Sequence, residues 1–201
     1  MTDHPPVAIL DGGGANIASL RFALERLGRP SRLTTDETII RDASHVILPG
    51  VGAARPAMER LSANGLDRVI PALTQPVLGI CLGMQLLFEA SEEDETDCLG
   101  IIPGTVRRFD PAPGRPVPHM GWNQTRLLHD SPLLEDLPVR CHFYFVHSYA
   151  VPVGQHTLAS CDYGWEFAAV VGNRNFLATQ FHPERSGVAG ARLLQNFLTR
   201  Y

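Results

Sequence analysis

Val77-Leu78-Gly79-Ile80-Cys81-Leu82-Gly83-Met84-Gln85-Leu86-Leu87-Phe88 decides the fold of this chain. The apolar run 77–80 enters Cys81 without a break, as a buried strand would, and Met84, Leu86, Leu87 and Phe88 read as the helix that follows. Gly79 and Gly83, two residues either side of the cysteine, leave room for a sharp strand-to-helix turn that thrusts the side chain outward. This is the nucleophile-elbow pattern with Cys in place of Ser. A helix N-terminus beneath the sulfur favours negative charge on it. The competing reading is a buried thiol in a plain βα turn, because free cysteine is commonly a small core residue.

Working outward, Val7–Leu10 is an apolar run ending at Asp11, and Ile17, Leu20, Leu24 and Leu27 then fall at helical spacing before Gly28. A second run, 45–48, ends at Pro49-Gly50-Val51-Gly52 and precedes a helical stretch with Met58 and Leu61. Strands alternating with helices predict right-handed crossovers and a parallel sheet covered on both faces. Beyond Asp97 the texture changes to short runs, 106–109, 124–128, 142–146, 157–160, 168–171 and 176–180, broken by Gly, Pro or Asn, which read as strands and hairpins. Residues 111–118 are a Pro-rich loop, Gly121-Trp122-Asn123 reads as loop, and Val188, Ala191, Leu194 and Leu198 mark a closing helix. The expected architecture is a single α/β domain over 1–201. Its three layers are a mixed, mainly parallel central sheet flanked by helices, flavodoxin-like, with Cys81 at the C-terminal end of a strand.

Hydrophobic residues make up 44% of the 201, enough for one sizeable core. With 17 Lys and Arg against 21 Asp and Glu the formal charge is −4, which lacks the basic footprint of a phosphate-backbone binder, so no nucleic-acid partner is expected. No apolar run reaches the roughly 18 residues of a membrane helix, and the first residues carry no basic signal region. The expectation is a cytoplasmic protein with no membrane partner. Cys81, Cys98, Cys141 and Cys161 include no C-x-x-C pair, so reduced thiols are expected, and the Cys and His spacings predict no metal and no cofactor.

Of eight histidines, His182 is the candidate base for Cys81: it follows the apolar run 176–181, and Pro183 ends the strand there. Residues two apart in an extended segment project the same way, so Glu184 can reach the imidazole and hold its tautomer. An oxyanion site needs two N–H donors. Leu82 at the helix start supplies one, and Pro49-Gly50-Val51-Gly52, whose glycines permit φ > 0, can supply the other. Asp11-Gly12-Gly13-Gly14-Ala15-Asn16 invites a dinucleotide reading, but Ile17 stands where the third glycine of that fingerprint belongs. The acidic run from Glu89 to Asp97 reads as a solvated face in which one carboxylate could hold an ammonium.

Gly79 to Gln85 followed about a hundred residues later by Phe181-His182-Pro183-Glu184 resembles the class I (triad) glutamine amidotransferase family. More narrowly, Pro49 to Gly52, His119-Met120-Gly121-Trp122-Asn123, Tyr144 to Tyr149 and Gln180 to Ser186 resemble the glutaminase-subunit family of imidazole glycerol phosphate synthase. The resemblance implies hydrolysis of L-glutamine to glutamate and ammonia. It also implies a heterodimer in which the ammonia passes to a (β/α)₈-barrel cyclase subunit in histidine biosynthesis. By the same resemblance Cys81 is the nucleophile, His182 the base and then acid, and Glu184 its orienter. Val51 and Leu82 match the oxyanion positions, and Gly52, Gln85, Glu93, Ser148 and Tyr149 match positions that hold glutamine. Asn16, Met120, Trp122, Asn123 and Arg185 match the face turned to the cyclase. Gly12 and Ala15 depart from the family pattern, and Arg185 stands where a lysine is common, a wider forked donor. The rivals are a glutaminase serving a different synthase, and a peptidase-like or inactive relative on the same fold.

Overall fold

The computed structural model describes residues 5–11 and 17–201. Its first half alternates strands and helices: β1 (Val7–Leu10), α1 (Ile17–Arg26), β2 (Ser31–Thr34), α2 (Glu37–Asp42), β3 (Val46–Gly50), α3 (Ala54–Ala63), α4 (Leu66–Val69), β4 (Val77–Cys81) and α5 (Leu82–Gln85). The second half is mostly strand: β5 (Phe88–Ser91), β6 (Thr96–Asp97), β7 (Ile102–Arg108), β8 (His119–Leu127), β9 (Arg140–His147), β10 (Tyr149–Ala150), β11 (Thr157–Asp162), β12 (Glu166–Asn173) and β13 (Phe176–Thr179), followed by α6 (Gly187–Arg200).

Nine strands form one sheet in the order β2-β1-β3-β4-β13-β12-β11-β8-β9. The first five are parallel in the flavodoxin-like 2-1-3-4-5 order, and the other four add antiparallel pairs. The mixed sheet is as expected, with its parallel and antiparallel halves balanced. A second sheet, β10-β7-β5-β6, stands apart from it.

Strand alternation divides the core into two. Val7 and Ile9, Ile47, Leu78 and Ile80, and Leu177 face one cluster, which α1 (Leu20, Leu24) and α6 (Leu193, Phe197) cover. Ala8 and Leu10, Val46 and Leu48, Val77, and Ala178 face the other, which α2 (Ile40), α3 (Leu61) and α4 (Leu66) cover. These are the three layers. Both faces are apolar, so the central strands read as continuous apolar runs rather than alternating ones.

Three segments differ from the sequence reading. The helix after Cys81 is one turn, because Phe88 leaves it to pair with Ile102 in the second sheet. The loop expected at Gly121-Trp122-Asn123 is strand, since β8 pairs with β9 from His119↔His147 to Arg126↔Arg140. In α6 the buried residues are Gly190, Leu193, Leu194, Asn196, Phe197 and Leu198, so the expected Leu194 and Leu198 face inward, while Val188 is 89% exposed and Ala191 lies on the outer face. Phe197 and Leu193, the larger apolar surfaces, set the rotation of the helix.

Candidate active site

Cys81 ends β4 at φ 55°, ψ −110°, a region that a residue with a Cβ occupies only under strain. Close packing around it enforces the turn. A Cβ on Gly83 would lie 1.8 Å from the Leu48 carbonyl oxygen, and one on Gly79 would lie 2.8 Å from the Gly83 oxygen, so α5 can sit against β3 and β4 only with glycine at both places. The Cys81 side chain is 7% exposed. Its Sγ lies 3.6 Å from the Val146 carbonyl oxygen and 3.8 Å from Nε2 of Gln180.

The segment after β13 brings His182 to the same place. Its N–H donates to the Tyr144 carbonyl at 3.0 Å, the Ser186 hydroxyl donates to the His182 carbonyl at 2.7 Å, and the Tyr144 N–H donates to that hydroxyl at 3.0 Å. These bonds clip the Pro183–Arg185 turn to β9. Nδ1 of His182 lies 2.9 Å from Oε1 of Glu184, with both side chains almost wholly buried. Burial works against a charged imidazole, but the hydrogen bonds and charges of Cys81 and Glu184 outweigh it and raise the His182 pKa. Burial pushes the thiols of Cys98 and Cys141 up to about 11 and that of Cys161 to about 12, as inert thiols require.

A cavity of about 310 Å³ opens in front of Cys81, and Val51, Gly52, Leu82, Gln85, Glu93, Ser148, Tyr149 and His182 all line it. Nine of the sequence-expected residues, Cys81 included, therefore share one cleft at the carboxyl ends of β3, β4 and β13. Glu184 lies just behind it, against His182. Gly52 has φ +93°, as the turn reading requires, whereas Gly50 is needed for space: its Cβ would lie 2.8 Å from the Gly83 nitrogen. Glu93 accepts from the Ala54 N–H at 2.8 Å at the start of α3, and burial, helped by the charge of Asp94, outweighs that bond and leaves its pKa raised. Of the acidic run only Glu93 reaches the cleft wall, while Glu89, Glu92, Asp94, Glu95 and Asp97 are exposed, the solvated face expected from the sequence.

Behind the cavity runs a chain of histidines that no spacing rule singled out. Nδ1 of His147 lies 2.8 Å from the Tyr149 carbonyl, which can only accept, so Nδ1 carries the proton. Nε2 of His147 then accepts from Nδ1 of His119 at 2.9 Å, and Nε2 of His119 accepts from the Asn123 amide at 3.2 Å. Asn123 also donates to the Asp162 carbonyl at 2.9 Å, which fixes its orientation from the other end. Burial, outweighing the Tyr149 bond, pushes His147 down to about 3, and burial pushes His119 down to about 4. Below pH 6.5 the unfolded chain protonates these rings and the folded one does not, so stability should fall with pH by about 1.4 kcal/mol per unit for each histidine. His182, with its raised pKa, contributes in the opposite sense and only above pH 6.5. Urea unfolding between pH 6.5 and 5 measures the slope. Imidazole NMR signals of His119 or His147 titrating above pH 6 would contradict the assignment.

The expected partner residues divide between the two faces of β8. Met120 and Trp122 point outward, 63% and 57% exposed, while Asn123 points inward to His119. Asn123 therefore does not share a face with Trp122, because neighbours on a strand alternate. Trp122 packs edge-on to Tyr144, and the Arg185 guanidinium lies 4.6 Å from the centre of the Tyr144 ring, so Trp122, Tyr144 and Arg185 form one outer patch beside His182. Asn16, Gly12 and Ala15 lie outside the described residues.

Among the described residues no three His, Cys, Asp or Glu side chains gather as metal ligands, and no helix is long and apolar enough to cross a membrane. A larger depression of about 580 Å³ along α1, lined by residues such as Arg21, Phe22 and Arg29, has no cysteine or histidine among the described residues of its wall.

The sequence model of class-I glutamine amidotransferases matches residues 8–201. The chain is 56% identical, over 98% of both sequences, to the imidazole glycerol phosphate synthase subunit HisH of Xanthomonas axonopodis pv. citri. It is 53% identical, over 96% of both, to the protein of the same name from Xylella fastidiosa. A crystal structure of a glutamine amidotransferase superposes with a TM-score of 0.74 at 22% identity over 96% of each chain. Another, of a glutamine amidotransferase from Thermotoga maritima, does so with a TM-score of 0.70 at 15% identity over 98% of each chain. These two likenesses show the fold alone. The chain belongs to the class-I glutamine amidotransferase family and, within it, to the HisH subunits of imidazole glycerol phosphate synthase.

Proposed function

We propose that this chain is one glutaminase domain that hydrolyses L-glutamine and passes the ammonia to a (β/α)₈-barrel cyclase subunit within a cytoplasmic heterodimer of histidine biosynthesis. The observation that carries the chemistry is the 310 Å³ cleft, of a size for a single amino acid, with Cys81, His182 and the glutamine-holding candidates on its wall. Cys81 gives its proton to His182 and attacks the γ-amide carbon, while the N–H groups of Val51 and Leu82 hold the oxyanion. His182, oriented by Glu184, returns the proton to the leaving nitrogen. Ammonia departs, and water activated by His182 then cleaves the thioester, which releases glutamate and restores the thiol. Gly52, Gln85, Glu93, Ser148 and Tyr149 hold the substrate.

The names of the relatives support a partner subunit, and the patch of Met120, Trp122, Tyr144 and Arg185 beside His182 supports its docking face. Ammonia released at Cys81 must enter the partner without meeting bulk water, so the interface belongs beside the cleft. The test measures glutamate release by the chain alone and with a barrel cyclase and its ribotide ligand, together with the affinity of the pair. Activity is expected to be low alone and to rise by orders of magnitude in the complex. Trp122→Ala should weaken association by about 2 kcal/mol, roughly 30-fold in Kd, and Arg185→Ala by less. Unchanged affinity and stimulated rate in both variants would move the interface elsewhere.

A further inference from the structure

We infer that Gln180 is a catalytic hydrogen-bond donor to the Cys81 sulfur, held in that role by the Tyr149 carbonyl acting through Gln85. The inference rests on the reading of Cys81 as the nucleophile. Gln180 is fully buried just past the end of β13, with its own N–H given to the Ala169 carbonyl at 2.9 Å. Its side chain bridges Gln85 and the sulfur.

The polarity of that bridge is set away from the sulfur. The Tyr149 carbonyl can only accept, so the Gln85 atom 2.9 Å from it is Nε2. The second N–H of Gln85 meets Gln180 at 3.1 Å and requires an acceptor there, which is Oε1. Nε2 of Gln180 is left facing Sγ at 3.8 Å. Reversing the Gln180 amide would set an NH₂ against an NH₂ and a carbonyl oxygen against the sulfur. The same Tyr149 carbonyl takes the His147 proton at 2.8 Å, so both of its lone pairs are engaged and it is anchored from two sides.

The sulfur has another close neighbour of opposite preference. The Val146 carbonyl at 3.6 Å can accept from a thiol S–H but repels a thiolate. Gln180 offsets that repulsion with an N–H that strengthens as charge develops on sulfur. It transfers no proton: the thiol proton goes to His182, and Gln180 keeps its own. The contact acts twice, when the thiolate forms and when it leaves the tetrahedral intermediate of thioester hydrolysis. His182 interacts with the sulfur on one side and with Glu184 on the other, and Glu93 and the neutral His147 lie on the cavity wall.

The experiment compares wild type, Gln180→Leu and Gln180→Met, the second filling the site with an unbranched chain if the first does not fold. Iodoacetamide alkylation of Cys81 is followed by mass spectrometry as a function of pH, and kcat and KM for glutamine are measured in the complex with the synthase partner. Loss of the donor should move the alkylation midpoint up by about one pH unit and lower kcat by about 10- to 100-fold. Glutamine binding in a Cys81→Ala background should change little. An unchanged alkylation profile, with the loss confined to KM and glutamine binding, would mean that Gln180 only positions Gln85, and the inference would be wrong. Glutamate release surviving in Cys81→Ala would overturn the underlying site reading, whatever the Gln180 variants do.

Discussion

Glutamate release by Cys81→Ala is expected to fall by at least about 10⁴-fold, to background, while the variant folds and binds its partner as the wild type does. Among the described residues Cys81 is the one cysteine on the cavity wall, so no second thiol can replace it in the proposed reaction. The fold should tolerate the change for a specific reason. Cys81 is held at φ 55° by the packing of Gly79 and Gly83, and alanine, with the same Cβ, bears the same strain that cysteine already bears. What is lost is Sγ, which contacts the Val146 carbonyl and Gln180. Synthesis by the complex from added ammonia should therefore survive. Glutamate release near the wild-type rate would remove Cys81 from the mechanism.

His182→Asn should be nearly as damaging, about 10³- to 10⁴-fold, because in the proposed reaction the imidazole both takes the thiol proton and returns it to the leaving nitrogen. Glu184→Gln should cost less. Its Oε1 sits 2.9 Å from Nδ1 and orients and charges the ring without touching the substrate. Part of its cost comes from the new amide, which can rotate an NH₂ toward Nδ1 and hold the wrong tautomer. The order of severity in single-turnover thioester formation is the measurement, with the asparagine variant slower than the glutamine variant. A His182→Asn enzyme as fast as wild type would exclude the ring as base. The raised pKa of His182 adds a signature: in Glu184→Gln the imidazole should titrate lower, because one of the two groups favouring its charged form has lost its negative charge.

The candidate site was legible to different depths. Cys81 and the pair His182 and Glu184 could be read because each depends on local chemistry: glycines at fixed offsets, and two side chains two residues apart at a strand end. Gln180 and the histidine chain could not, because their roles depend on which atoms meet across β4, β8, β9 and β13, a matter of register rather than spacing. A weak signal did exist for Gln180, a polar residue within an otherwise apolar run. In the same way Asp36 announced α2, since its carboxylate accepts from the N–H groups of Thr38 and Ile39, yet so short a helix has no apolar stripe to confirm it.

By itself the sequence determined the βα alternation, the strand-to-helix elbow at Cys81 and the contact between His182 and Glu184. These follow from hydrophobic period, glycine and proline chemistry, and the reach of neighbouring side chains, all of which act within a few residues. Only the tertiary structure decided that the helix after Cys81 stops after one turn, that Trp122 lies on a strand facing away from Asn123, and that α6 turns Phe197 rather than Val188 inward. The reason is shared by all three. Each outcome trades a local preference for pairing or burial against a segment far along the chain: Phe88 against Ile102, His119 against His147, and Phe197 against the β-sheet core. Such contacts are worth more than the propensities they override, and their partners cannot be read from the segment alone.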